Sequence, residues 1–582
     1  QVDLNDELRT RRRAFSTQRY PFGSYRRETV KTLERNTDLL LLLNRNLSES
    51  FSLNATLGGN QRVNTFDYLD VFAPRLIVPG VFSLNNSRDP LQYSQNLSER
   101  RVNSVFASAQ VGFRNFLYLD LTARNDWSST LTLPEGVTGS ADNSYFYPSA
   151  SLSFILSDVV PLPSFVSLLK LRAGIAQVGN DTDPYAFAQP YDPQTPWGAT
   201  PTFAERSRIP NLNLKPEIST SQEYGLDVKF FNNRVGLDVT YYRTNSRNQI
   251  IPAPLSITTG YPSAVLNAGN IRNEGVEVML NLIPLATADK AFRWNLDVNF
   301  SANRGKVVEL AQGVTTYQLT DRYFSVEARV GERMGDMYGF GYQRVNNDPA
   351  SAYYDPTGQN VGQPVVGADG RPVATSSTIK LGNYNPDWLG GIYNTFTYKN
   401  FNFGFLFDVR QGGKIYSHTF VVGREGGQLT ETLEGRATGY DLAQPGNGVY
   451  APGVVITKNP DGTNAFHTNG TQSTDRELTA REWHTAFTLG RRVLEGAIFD
   501  ASFVKLREVK LGYTVPDKVM GKKFPLRGLT ISLVGRNLAL WTKVPHIDPE
   551  TSSVSGGTVI PGAESVAIPS TRSMGVNLGF RF

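Results

Sequence analysis

Four imidazoles, at His418, His467, His484 and His546, and no cysteine make up the whole stock of strong nitrogen and sulfur ligands in this chain. Metal and nucleophilic catalysis need such groups clustered in defined geometry. These histidines are scattered, and each falls in a stretch without strand pattern. The missing thiols also remove disulfides and cysteine nucleophiles. Asp548-Pro549-Glu550 places two carboxylates close together, as acid–base work requires, but the tripeptide reads better as a structural turn. The run "RQGGK", Arg410 to Lys414, sets glycines beside cations, yet no helix follows to supply an anion-binding N-terminus. The remaining candidates are aromatic: Tyr185, Tyr191 and Trp197 in "DPYAFAQPYDPQTPWG", with Trp127 at the mouth of another loop. Aromatic faces pack against sugars and peptide side chains, so these four are the candidate substrate-binding residues. The competing reading is an interfacial girdle or simple loop packing. No catalytic residue, metal site or cofactor is expected.

The elements that must position these residues announce themselves by a period of two. "SMGVNLGFRF" places Met574, Val576, Leu578, Phe580 and Phe582 on one side, and Ser573, Gly575, Asn577, Gly579 and Arg581 on the other. Successive side chains of a strand point to opposite faces, so this is strand patterning. "WNLDVNFSAN", "FNFGFLFDVR", "VGLDVTYYR" and "FLYLDLTAR" alternate in the same way. No stretch approaches the ~20 apolar residues of a membrane helix. A transmembrane barrel, by contrast, hides its apolar residues at alternate positions. The strands read at about 10–13 residues, which suits a tilted bilayer crossing and exceeds the usual soluble strand. Tight turns such as Asn232-Asn233 and Lys399-Asn400 alternate with long connections near 178–218, 244–270, 304–386, 411–499 and 542–569. That alternation is the habit of outer-membrane barrels. The expected fold is therefore all-β, a transmembrane antiparallel β-barrel.

About fifteen strands can be read from residue 39 onward, which is an odd number, whereas single-chain bacterial barrels close on even counts. Residues 1–38, including the basic run "RTRRRAFSTQRY", read as an extracellular loop segment at a break, and residues 39–582 as the C-terminal part of the barrel. The chain has neither an initiator methionine nor a signal peptide, so it is expected to be a processed or excised piece. The net charge of +5 over 582 residues is mild and calls for no nucleic-acid partner.

Ordered motifs then carry a resemblance. "RRVNSVFASAQVGFRNFLYLDLTARNDWSSTL", "SYFYPSASLSFILSD" and "LKLRAGIAQVGND", with Lys170, Leu171, Arg172, Gly179 and Asn180, come first. "NLNLKPE", "NAGNIRNEGVEV", "LGNYNPDWLGGIYNTFTYKNFNFGFLFDVRQGGKIY", "DASFVKLREVKLGYTVP" and "GRNLALWTKVPHIDPE" follow. From about residue 100 to 582 the chain resembles the SusC/RagA family of TonB-dependent outer-membrane transporters of the Bacteroidetes. The resemblance implies a barrel of about 22 strands, a plug and a TonB-contacting segment, so that the plug and about seven strands lie outside this chain, in a separate chain or elsewhere in the protein. It implies a SusD-like surface lipoprotein over the mouth, contact with outer-membrane lipid, and import of an oligosaccharide or peptide in a Gram-negative outer membrane. It also implies that the terminal aromatic Phe582 is an assembly signal. A structural anchor or secretion scaffold, and a passive porin, are the alternative functions.

Overall fold

The computed structural model describes the chain except residues 16–19, 189–190, 199, 206–207, 256, 290, 312, 321–322, 438–446, 486–492, 517–527, 552, 556–557 and 582. One large antiparallel sheet dominates. Its principal strands are β1 (Val2–Arg13), β2 (Ser24–Asn46), β3 (Phe51–Ala73), β4 (Gln92–Phe113), β5 (Leu117–Ser128), β6 (Ser144–Ile155), β7 (Val166–Asn180) and β8 (Glu217–Phe230). They continue as β9 (Val235–Pro254), β10 (Ser263–Ala286), β11 (Phe292–Glu309), β12 (Trp388–Tyr398), β13 (Phe401–Gln411), β14 (Phe503–Val515), β15 (Gly528–Thr542) and β16 (Ser573–Arg581). Each strand pairs with its neighbours in chain order, so the sheet is an up-and-down meander. The two-residue stretch Arg208–Ile209 adds a parallel pairing beside Ser263.

All fifteen expected strands are present. The reading of residues 1–38 as loop is corrected: Val2–Arg13 runs antiparallel to Ser24–Arg35, so β1 is a sixteenth strand and the odd count disappears. The turn after β8 is also longer than expected. It spans Phe231 to Arg234, with Phe231, Asn232 and Asn233 all at positive φ. The Lys399-Asn400 turn is a true two-residue hairpin, with Lys399 at φ 50°. Asn adopts the left-handed region with little penalty, which is why these turns are rich in it.

Register fixes the two faces. Leu41 and Leu57 pair across β2 and β3, Leu57 faces Ala107, and Ala107 faces Ala123. That apolar parity is the lipid-facing side. The opposite parity carries Asn54, Gln110 and Asp120, joined by hydrogen bonds of 3.3 and 2.7 Å. Farther round, Trp294, Phe396, Phe403 and Leu511 continue the apolar belt. Met574, Val576, Leu578 and Phe580 of β16 share the outer parity of Leu529, Ile531 and Leu533. Phe582 lies outside the described residues.

The tightest turns lie at one end, together with the longer connections 156–165 and 516–527, and the longest connections lie at the other, where their described parts pack on one another. The connections between β11 and β12, β13 and β14, and β15 and β16 bury Phe324, Val326, Met337, Tyr416, Phe420, Leu494 and Ile560 in one shared core. The wall itself contributes little to such cores because its apolar side faces outward. The loop helix Ala480–Thr485 buries His484, whose Nδ1 accepts from Arg424 Nη2 at 3.0 Å while Nε2–H donates to the Glu434 carbonyl at 3.2 Å. Burial holds this imidazole below its ordinary value of 6.5. The Arg424 charge acts in the same sense, partly offset by the Glu434 carbonyl.

Two expectations follow. Leu121→Arg, on the outer parity of β5, costs about 2–4 kcal/mol in unfolding from bilayers, and Thr122→Arg on the inner parity costs less than about 1 kcal/mol. Equal costs would overturn the face assignment. For His484, the unfolded state takes up a proton that the folded loop resists, so stability is full above 6.5 and falls as pH drops through it. Hydrogen exchange at Ala480–Thr485, corrected for intrinsic rates, should lose protection from about pH 7 to about pH 5. His484→Gln should flatten that dependence.

Candidate functional site

The strands that enclose the polar side are far longer than a crossing demands. β2, β3 and β4 have 23, 23 and 22 residues, against about 9–11 for a tilted bilayer span. Their long-loop ends therefore stand clear of the hydrocarbon, and the inner parity there lines a cavity of about 800 Å³. Glu34, Arg62, Asn64, Phe66 and Arg100 project into it from β2, β3 and β4, and Tyr185 closes it from the loop after β7.

The cavity is charged and partly preorganised. The Glu34 carboxylate accepts from Asn36 Nδ2 at 2.7 Å and from Asn64 Nδ2 at 2.6 Å. Arg100 Nη2 meets the buried Asp181 carboxylate at 2.5 Å, whose other oxygen accepts from the Ser128 hydroxyl. Loop and wall are thereby joined beneath the cavity. The Nε atoms of Arg62 and Arg100 are buried and have no hydrogen-bond partner among the described residues. Such donors are costly unless an acceptor arrives. Tyr185 sits in the left-handed region at φ 62°, and its hydroxyl accepts from the Glu99 N–H at 3.4 Å. With amides, both charge signs and two aromatic rings, the arrangement can hold a polar oligomer.

The other aromatic candidates lie elsewhere. Tyr191 and Trp197 belong to a loop hairpin, Tyr191–Trp197 against Thr200–Glu205; they are 68% and 85% exposed and do not line the cavity. Trp127 shares the outer parity of Leu119 and Leu121 on β5, so it faces away from the lumen, where a girdle residue belongs. Sequence reading missed Glu34, Arg62, Asn64 and Arg100. The available signal was the alternation of "RVNTFDYLD", where Arg62, Asn64, Phe66 and Tyr68 fall on one parity.

The two carboxylates of the Asp-Pro-Glu turn are bound to cations. A bulge at Arg507 lets both Lys505 and Arg507 reach the inner side. Lys505 Nζ donates to both Asp548 oxygens at 2.7 Å and also contacts Glu550. Arg507 grips Glu550 through Nη1 and Nη2 at 2.8 and 2.7 Å and reaches Asp408. Burial pushes the Asp548 and Glu550 carboxyls up, but the hydrogen bonds from Lys505 and Arg507 outweigh it and hold both below their ordinary values. Two ionised, paired carboxylates tie the loop after β15 to the wall; a general acid would need a raised value. In "RQGGK", Gly412 and Gly413 take φ of 77° and 84°, and a Cβ on either would strike Asp387 or the Tyr384 carbonyl. These glycines serve close packing. The histidines are dispersed: His467 bonds Asp475 at 2.7 Å and His546 bonds Glu431 at 2.8 Å. Among the described residues no three His, Asp or Glu side chains converge as a metal set.

Lys505→Ala should cost about 3–5 kcal/mol, because it leaves Asp548 buried without its cation. Thermal unfolding in detergent and proteolysis of the 543–551 loop would measure this. An unchanged melt and an uncut loop would remove the cluster from its anchoring role.

The family described as "TonB dependent receptor-like, beta-barrel" matches residues 2–334. The chain is 26% identical over 520 residues to TonB-dependent receptor P3 of Formosa agariphila, covering 84% of this chain and 46% of the relative. It is 24% identical over 482 residues to TonB-dependent receptor SusC of Bacteroides thetaiotaomicron, covering 77% and 41%. It thus spans about half the length of the curated relatives it matches. Among solved structures, the RagAB peptide transporter superposes with a TM-score of 0.70 at 19% identity, over 99% of this chain and 58% of that one, a likeness of fold. In keeping with its up-and-down wall, apolar outer face and polar lumen, the chain belongs to the TonB-dependent receptor-like β-barrel family of outer-membrane receptors and transporters.

Proposed function

We propose that this chain is the barrel wall of an importer that takes a polar oligomer, an oligosaccharide or a peptide, across the outer membrane. The observation that carries the reading is the cavity on the inner parity of β2–β4. It lies at the long-loop end and combines Glu34, Arg62, Asn64 and Arg100 with Phe66 and Tyr185. Carboxylate, guanidinium and amide groups recognise peptide termini and backbone or sugar hydroxyls, while the rings supply apolar stacking faces. That RagAB, which shares the fold, is a peptide transporter supports the peptide half of this reading.

The rest of the machine follows from the same reading. A barrel of about 22 strands would need about six more than the sixteen here, along with a plug; these are the proposed partners of the outer sides of β1 and β16. Among the described residues β1 pairs only with β2, and β16 only with β15. TonB would act through the plug-bearing part, and a SusD-like lipoprotein would close over the long loops. No covalent change of the cargo is required.

The test is uptake by intact cells of fluorescent peptides and oligosaccharides. A Glu34→Gln/Arg62→Gln variant at wild-type surface level should lose about tenfold in apparent affinity, the equivalent of about 1.4 kcal/mol. A protonophore should abolish uptake. Uptake that persists without the proton gradient would make the barrel a passive pore, and unaltered uptake by the variant would remove the cavity from the path.

A further inference from the structure

On the outer parity of β7–β11 the apolar belt ends in an abrupt change of chemistry. Leu226, Val239, Val278 and Phe300 form one cross-strand row, and Tyr224, Tyr241, Val276 and Ala302 form the next toward the long-loop end. The paired tyrosines have the place and type of an interfacial girdle. The next outer positions are Gln222, Arg243, Glu274 and Arg304, and then Thr220, Asn245, Arg272 and Lys306. Arg247 follows beside Asn270. Five cations thus stand against one carboxylate on a surface that faces away from the lumen.

Their pairing differs from that of two inner arginines on nearby strands. Inside, Arg172 holds Asp238 at 2.7 Å and Arg124 holds Asp126 at 2.7 Å. Outside, Glu274 is 3.8 Å from Arg272, whereas Arg243, Arg247, Arg304 and Lys306 form no ion pair among the described residues. Arg272 Nε is buried and has no hydrogen-bond partner among them. Arg243 and Arg247 also edge a cleft of about 360 Å³ completed by Gln177, Thr220, Gln222 and Asn245, a lining rich in donors. Guanidinium groups bind phosphate with two parallel hydrogen bonds, and basic pockets at a bilayer boundary bind anionic headgroups.

We propose that this patch seats the phosphorylated headgroup of an outer-leaflet lipid. Arg243 and Arg247 hold phosphate from the cleft, and Arg304 and Lys306 extend the cationic surface along β11. The acyl chains then lie over the apolar rows below, Val239, Val278 and Phe300. This goes beyond the import reading and is independent of the cargo.

The experiment extracts the protein from native outer membranes into mild detergent and quantifies co-purifying phosphorylated glycolipid and glycerophospholipid by mass spectrometry. An Arg243→Gln/Arg247→Gln/Arg304→Gln variant should retain at least threefold less phosphorylated glycolipid than wild type. Arg247→Gln alone, at an exposed position, should show a smaller fall. Arg234→Gln, at the short-turn end, removes the same charge and should change nothing. Migration before and after boiling checks that each barrel is folded. Retention at the wild-type level by the triple variant, or an equal loss with Arg234→Gln, would overturn the proposal. So would a loss confined to glycerophospholipid, or release of the lipid by inorganic phosphate alone.

Discussion

Inside hydrocarbon no water is available to take an unpaired N–H or C=O, and each such group costs several kcal/mol. Everything else in this molecule depends on that constraint. It explains why β2 and β3 pair without interruption from Tyr25–Ala73 to Asn46–Ser52, and why neighbours in sequence are neighbours in space. It also makes register absolute. A slip of one residue would turn Leu41 and Leu57 inward and drive Asn54 and Gln110 into lipid. Once the backbone is settled in this way, polarity on the inner face comes at little cost, because those side chains satisfy one another, as Asn54, Gln110 and Asp120 do.

The consequence is a protein with its hydrophobic interior in an unusual place. The wall spends its apolar side chains on lipid, so compact cores form in the connections above it. Glu564, fully buried, accepts from Ser417 and Thr419 and joins the connection after β15 to the one after β13. The Lys505–Asp548–Glu550–Arg507 cluster joins the connection after β15 to the wall. Mouth and barrel are thus one packed body along this side, and at the charged cavity near β2–β4 the Arg100–Asp181 pair ties the loop after β7 to the wall.

The part of the fold that lipid enforces was legible in the sequence. Every strand with an alternating apolar parity, from "FLYLDLTAR" to "SMGVNLGFRF", is found where the alternation places it, and the unbroken run "LLLLLN" also lies in a strand. β1 was hidden because Asp3, Asp6, Glu7, Arg9 and Arg12 put charge on both parities, as a strand standing in water on both faces can. The same holds for the outer halves of β2, β3 and β4, and hence for the cavity residues. The loop cores were hidden for a different reason: Phe324, Met337, Tyr416, Leu494 and Ile560 are brought together from three connections, and no local period records such a contact. Tyr185 was visible as an aromatic in a polar loop, but so were Tyr191 and Trp197, and only the folded chain separates them.

The tight turns at the short-connection end also constrain how such a protein can change over generations. At Lys399-Asn400, or at Phe231–Arg234 with its run of left-handed residues, one inserted residue would have to be absorbed by the turn or passed into two lipid-facing ladders. The opposite end already carries whole subdomains between β11 and β12 and between β13 and β14. Variation is therefore polarised. Where such hairpins stand, turn geometry resists insertion, while the opposite rim can gain, lose or exchange folded material with little effect on the pairings in the wall.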